Sequence, residues 1–226
     1  MRILAVETSG PHGGIALADA ARLIEEVRLA EGLRHGRDLL MVIRAACGRA
    51  GWTPGDIDLV AVSIGPGSFT GLRIAVVFAK FVAWDTGAKV VAVPTLRALA
   101  ENAPAQARRI VPILDAKRGG LYASVFERSE GRLQETFGPT LIEPEDLAAR
   151  LKKPAFVLGR GVPKAREALT RFDFAPEDLW DARPAAVASL GFEMGERGEY
   201  ADPLRLAPVY IRRPEAEEMW ERRKKK

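Results

Sequence analysis

Four residues, Gly65-Pro66-Gly67-Ser68, constrain this chain more than any other short stretch. They separate a short apolar run, Asp58 to Ile64, from a longer one that begins at Thr70 and stops at Gly87. The glycines allow positive φ and close backbone approach, and the proline stiffens the turn between them. Ser68 or Thr70 can cap the helix that follows. A buried strand that turns this tightly into an apolar helix predicts a layered α/β protein. The free N–H groups at such a helix start suit an anion. The same turn also needs glycine with no ligand at all, and the loop matches neither G-x-x-x-x-G-K-[ST] nor G-x-G-x-x-G.

The rest of the chain extends this reading. Residues 2–8, 15–18 and 23–29 predict a three-strand antiparallel meander, with a turn at Gly10-Pro11-His12-Gly13-Gly14. A helix over 37–51, a strand over 58–64, a helix over 70–86, a strand over 89–93 and a short helix over 95–102 follow. Meander first, then strands joined by right-handed helical crossovers, is the order of a ribonuclease-H-like fold. The second half repeats it more loosely: a strand over 109–115, a hairpin over 121–126 and 132–137, a short helix from 143, a strand over 155–159 with a helix after it, and a helix over 184–197. The expectation is a two-lobed, actin-like α/β protein with a mixed sheet in each lobe. Its parts are an N-terminal lobe over 1–102, a C-terminal lobe over 103–206, and a segment over 207–226 that packs back on the first lobe.

The helix over 70–86 is apolar nearly all round, with only Arg73 and Lys80 interrupting before Asp85. In a layered fold one face meets the sheet, and the other needs a cover. Either the helix over 37–51, with Met41 and Val42 off its main stripe, provides that cover, or a second protein does; the interface is the reading adopted. Charge says less than it first suggests. The net +4 is 34 basic against 30 acidic residues, and five of the basic ones are 222–226, so the body stands at 29 against 30. That tail is either a solvated terminus or a contact for RNA. The lone Cys47 excludes an internal disulfide framework. No run approaches the ~20 apolar residues of a membrane span, and the opening residues are too short for a signal peptide, so a cytoplasmic location is expected.

Four blocks carry a resemblance to a known family: Ile3 to Ser9, Gly65 to Ile74, Asp115-Ala116-Lys117-Arg118-Gly119-Gly120-Leu121-Tyr122, and Ala207-Pro208-Val209-Tyr210-Ile211-Arg212. In content and spacing the chain resembles the TsaB (YeaZ) family over nearly its whole length. The resemblance implies a non-catalytic scaffold subunit of the bacterial machinery that adds threonylcarbamoyl to adenosine of tRNA. It implies pairing with a TsaD-like catalytic paralogue through the two N-lobe helices, with Leu39, Val42, Ile43, Phe69, Leu72, Arg73, Val76, Val77 and Lys80 at the interface. It further implies a TsaE-like ATPase partner, a homodimer when the partner is absent, only indirect contact with tRNA, and no cofactor. Two departures stand out. The family's first strand usually ends in Asp-Thr-Ser, where this chain has Glu7-Thr8-Ser9, and His35 is followed by Gly36 rather than Ser or Thr.

Enzyme readings find few residues. The catalytic paralogue carries a metal-binding His pair at i and i+4 on the helix where this chain has Thr95 and Leu99. His12 and His35 are too distant in sequence to suggest a local site and read as surface or turn residues. Ser63, Ser68 and Cys47 lack a His partner in any motif. Glu7, Asp19, Asp58 and Asp115 could cluster at strand ends, as carboxylates do in ribonuclease-H-like nucleases. The alternative function is therefore an ATP-dependent phosphotransferase or ATPase acting alone. It would use Glu7, Thr8, Ser9, Gly65, Gly67 and Ser68 as a phosphate loop, here possible only in vestigial form, and Gly159-Arg160-Gly161 against an adenosine.

Overall fold

The computed structural model describes residues 1–29 and 35–212, with the side chains of residues 35–37 left undescribed. The first sheet contains β1 (Arg2–Glu7), β2 (Gly14–Asp19), β3 (Arg22–Arg28), β4 (Leu59–Ser63) and β5 (Lys89–Val93), in the order β3-β2-β1-β4-β5. β1 pairs antiparallel with β2 and parallel with β4. Its helices are α1 (His35–Ala50), α2 (Phe69–Thr86) and α3 (Thr95–Ala100). Strand alternation sorts the side chains into two layers. Leu4, Val6, Ile15, Leu17, Val60 and Val62 point at α1 and α2. Ile3, Ala5, Ala16, Ala18, Leu59 and Ala61 point the other way.

The second sheet contains β6 (Arg109–Asp115), β7 (Leu121–Ser129), β8 (Arg132–Ile142), β9 (Phe156–Leu158) and β10 (Asp173–Phe174), with α4 (Pro144–Arg150) and the single turn α5 (Val162–Ala165). Its order, β8-β7-β6-β9-β10 from the meander outward, repeats that of the first sheet, with β9 parallel to both β6 and β10. The ribonuclease-H-like strand order is thus present twice, once in each lobe. β10 was not expected, because two residues carry no period.

The expected lobe boundaries need one correction. Helix α6 (Pro184–Glu196) lies within 103–206 but packs across β1, β2, β4 and β5 of the first sheet. The alanines on that face let the helix come close. A Cβ on Gly191 would collide with the Ala61 side chain. Glu26 on β3 anchors the helix start: its Oε1 accepts from Ala185 N at 3.0 Å, and it pairs with Arg183. α6 also joins the layers of both sheets. Ile3, Leu59, Leu99, Ile113, Leu121, Val187 and Leu190 belong to one continuous core.

After α6 the chain runs back along α2. Ala201 N donates to Val90 O, Lys80 Nζ to Leu204 O at 3.2 Å, and Val209 N to Ile64 O at 2.7 Å. Arg212 Nη1 then reaches Ala116 O at 2.9 Å on the second lobe. The basic tail 222–226 lies outside the described residues. Among the described residues no helix is long and apolar enough to cross a membrane.

Candidate functional site

Two places gather the residues singled out above: the turn from β4 into α2, and the outer face of α1 and α2. At the turn, the end of β1 and the glycine loop are pressed together. A Cβ on Gly67 would lie 2.6 Å from Ser9 Cβ, and one on Gly71 would overlap the Thr8 carbonyl oxygen. Thr8 Oγ1 donates to Gly71 O at 2.7 Å, and Ser68 N donates to Ser9 O at 2.7 Å. Ser68 is the N-cap of α2, accepting from Gly71 N. Gly65 N donates to Thr95 Oγ1 at 3.0 Å. The N–H groups of Gly65, Ser68 and Gly71, which could have cradled a phosphate, are therefore already used inside the protein.

Glu7 is buried beneath this turn. Ser9 N donates to its Oε1. Its Oε2, and Ser63 Oγ one residue past the Val6–Val62 pair, have no partner at hydrogen-bond geometry. Burial pushes the Glu7 carboxyl up, the charge of Asp181 adds to this, and Ser9 and Ser63 offset only part of it. The other carboxylates do not join it. Asp19 receives the Met1 amino group and Asp58 accepts from Arg2 N, both at the opposite end of β1. Asp115 pairs with Lys164 at 2.6 Å and Lys117 at 3.1 Å. The strand-end acid cluster imagined for a nuclease is absent from this arrangement: the length of β1 separates Glu7 from Asp19 and Asp58, and Asp115 ends a strand of the other sheet.

Between the lobes lies a cluster that sequence reasoning missed. Arg160, after β9, grips Asp181 with two bonds, Nε to Oδ1 at 2.9 Å and Nη2 to Oδ2 at 2.7 Å. His12 Nδ1, from the β1–β2 turn, lies 2.8 Å from Asp181 Oδ2 and 3.1 Å from Arg160 Nη2. Asn102 Nδ2 fixes the Asp181 backbone at 2.7 Å. Burial pushes the Asp181 carboxyl up, but hydrogen bonds from Arg160 and His12 overcome it and hold the carboxyl below its usual range. His12 is thus an interlobe contact rather than a bland turn residue. The His35 side chain is outside the described residues. Gly159 is required by packing, since a Cβ there would strike Ile113 O, and Arg160 spends its guanidinium on Asp181. The adenosine approach of Gly159-Arg160-Gly161 finds its residues engaged within the protein, since Gly161 N donates to Ile113 O. The interlobe cluster escaped the sequence because His12, Arg160 and Asp181 lie far apart in it and form no local motif.

The outer face of α1 and α2 is apolar and uncovered. Leu40, Met41, Phe69, Val77, Phe81 and Trp84 are exposed, Trp84 at 81%. A groove of about 670 Å³ runs between the helices, lined by Leu40, Phe69, Ile74, Val77 and Phe81, with Leu39 as its floor. Arg73 sits over the Phe69 ring at 3.7 Å, and Phe69 stacks on Tyr210 at 5.2 Å. Of the nine interface residues expected, Phe69, Arg73 and Val77 are exposed, and Val42 and Lys80 are half-buried. Leu39, Ile43, Leu72 and Val76 are corrected: they are buried in this chain's own core. Leu40, Met41, Phe81 and Trp84 are the large apolar side chains exposed on the same helices. On a helix apolar all round, composition cannot choose between adjacent positions.

Thr95 and Leu99 are both buried, one accepting from Gly65 N, the other in the shared core. Among the described residues no three His, Cys, Asp or Glu side chains are placed to hold a metal ion.

Comparison with known proteins gives three kinds of match. Residues 31–174 match a family model described as TsaD, tRNA N6-adenosine threonylcarbamoyltransferase. The tRNA threonylcarbamoyladenosine biosynthesis protein TsaB of Bacillus subtilis is 30% identical over 97% of this chain and 98% of its own length. That of Haemophilus influenzae is 26% identical over 94% of each. A crystal structure from Pseudomonas aeruginosa, of an uncharacterized protein with similarity to peptidase YEAZ, superposes with a TM-score of 0.84 at 25% identity, covering 93% of this chain and 99% of that one. A second from the same organism, YeaZ, gives 0.80 at 23% identity, covering 92% and 99%.

Proposed function

The chain belongs to the TsaB (YeaZ) family, and from that premise we propose that it serves tRNA threonylcarbamoyladenosine biosynthesis as a non-catalytic subunit that binds and activates a TsaD-like paralogue. The observation that carries this reading is the exposed apolar face of α1 and α2. Fully covering one large side chain there contributes about 1.5–3 kcal/mol, so a partner laid along the groove gains from each of Leu40, Met41, Phe69, Val77, Phe81 and Trp84. The match to a TsaD model over most of the chain supports a paralogous partner with a similar helix pair, which meets it face to face. The same geometry supports a homodimer through this face when the paralogue is absent. A TsaE-like ATPase completes the assembly, which works in the cytoplasm on tRNA.

Lack of catalysis by this chain alone is supported by Thr95 and Leu99, where the resemblance places the paralogue's metal-binding pair. The alternative of an ATPase acting alone is disfavoured: the loop N–H groups of Gly65, Ser68 and Gly71 are committed, Glu7 is held as a buried carboxyl, and the interlobe cleft is bridged by Arg160 and Asp181.

The test is Val77→Arg. Val77 is 65% exposed, so the variant keeps its fold. Its affinity for the TsaD-like partner falls by about 100-fold, the scale of a disrupted interface hot spot. Co-purification at wild-type yield would reject the interface.

A further inference from the structure

The second lobe carries a cluster of positive charge that the partner face does not use. Arg108 and Arg109 open β6, Arg128 lies near the end of β7, Arg150, Lys152 and Lys153 fill the connection from α4 to β9, and Arg171 precedes β10. All seven meet at one end of the second sheet. Arg128 N donates to Arg108 O, Arg109 Nη1 donates to Lys152 O, and Arg171 Nη2 donates to Leu151 O at 3.3 Å. Arg109 and Asp115 stand at opposite ends of the seven-residue β6, so this end lies ~20 Å along the strand from the turn held by Arg212.

What distinguishes the cluster is how its charges are held. Arg128 bonds to the carbonyls of Ala103 and Ala107, and Arg171 to those of Ala148 and Leu151. Arg150 lies 5.7 Å over the Phe137 ring. Such contacts fix a guanidinium without neutralising it. Among the described residues, Glu127, 2.6 Å from Arg109, is the one carboxylate that forms an ion pair with any of the seven. Outside the terminal tail the chain is close to neutral, so this local excess is a property of the surface and not of composition. Two open grooves of about 480 and 520 Å³ flank Arg109, one along Arg150 and Lys152, the other along Arg108 and Pro154.

We propose that this end of the second lobe binds the phosphate backbone of RNA, giving the chain a direct contact with tRNA. The cations are spread across three connections instead of converging on one point, which fits a row of phosphates better than a single anion. Preset guanidinium planes match phosphate oxygens two at a time. The choice of RNA over another polyanion rests on the function proposed above; the charge cluster does not.

The experiment measures anisotropy of a labelled, unmodified tRNA transcript against the full chain, across a salt series. The probe variant is the triple Arg150→Glu, Lys152→Glu, Lys153→Glu; all three residues are exposed. Removing about three phosphate contacts lowers the salt slope by roughly 2 and weakens binding at least tenfold at low salt. Arg22→Glu on β3 serves as the charge control and leaves both unchanged. Deleting 222–226 separates any contribution of the tail: the triple variant's loss persists in that background. An unchanged slope in the triple variant would overturn the proposal, as would equal competition by poly-glutamate and RNA, which would mark a surface for acidic protein. Each variant is also scored for co-purification with the TsaD-like partner. Failure of the RNA contact leaves co-purification intact, whereas failure of the partner reading shows as Val77→Arg that still co-purifies at wild-type yield, with RNA binding unaffected.

Discussion

Gly71 and Glu7 sit within one turn of each other and show what single residues do here. The glycines of the 65–71 loop are plain in the sequence, and their chemistry suggested an anion. The structure assigns Gly67 and Gly71 to backbone contact with Ser9 and Thr8, which are distant in sequence and supply no local pattern. Gly71→Ala is therefore expected to cost about 3 kcal/mol or more, at the upper end of overpacking, read as a fall in the urea midpoint. Glu7→Gln acts in the opposite direction. Because the folded state raises the Glu7 carboxyl above its ordinary value of 4.5, its contribution is most favourable below that value and is lost as pH rises through the folded one. At pH 7, above the ordinary value, wild type bears a cost for burying this group. The glutamine variant escapes it, and its amide can donate to the orphaned Ser63 Oγ. Urea unfolding should find Glu7→Gln more stable at pH 7, with the advantage vanishing below pH 4.5; no gain at pH 7 would refute the assignment.

Among the elements, α2 was the most legible in outline and the least in detail. Its start, its αL cap at Gly87 and its need for a cover were all readable from Ser68 to Gly87. Which residues face the sheet was not, because apolar side chains stand on both faces. The inward side is mostly small, Gly71, Ala75, Ala79 and Ala83, which lets the helix lie close to the sheet. The bulk of Phe81 and Trp84 goes outward. This division makes neighbouring substitutions diverge. Val76 is 4% exposed, so Val76→Arg buries an unpaired charge and yields little soluble, folded protein by circular dichroism. Val77→Arg, one position on, melts within about 0.5 kcal/mol of wild type and loses only the partner. Equal melting of the two variants would show the register to be wrong.

At the scale of the whole molecule, the repeated strand order was partly visible, since the meander and the first crossovers have strong periods. The destination of α6 was not: nothing in Pro184–Glu196 distinguishes a helix that covers its own lobe from one that crosses to the other. That crossing and the bridge among His12, Arg160 and Asp181 tie the lobes into one unit, so chemical unfolding should be a single transition with coincident fluorescence and circular dichroism curves. Asp181→Asn lowers the unfolding free energy by about 2 kcal/mol at pH 7, through loss of charge-assisted hydrogen bonds. The sign with pH follows from its depressed carboxyl: the stability is present above the ordinary value of 3.8 and is lost as pH falls through the lower folded value. The variant should show no such loss in that window. The placement of α6 also sets a timetable for the newborn chain. About 90 residues separate the end of β5 from the start of α6, which at ~5–20 residues per second is roughly 5–20 s of synthesis. Throughout that interval the alanine-lined side of the first sheet is bare, and nascent molecules are exposed to chaperones and to one another until α6 has been made.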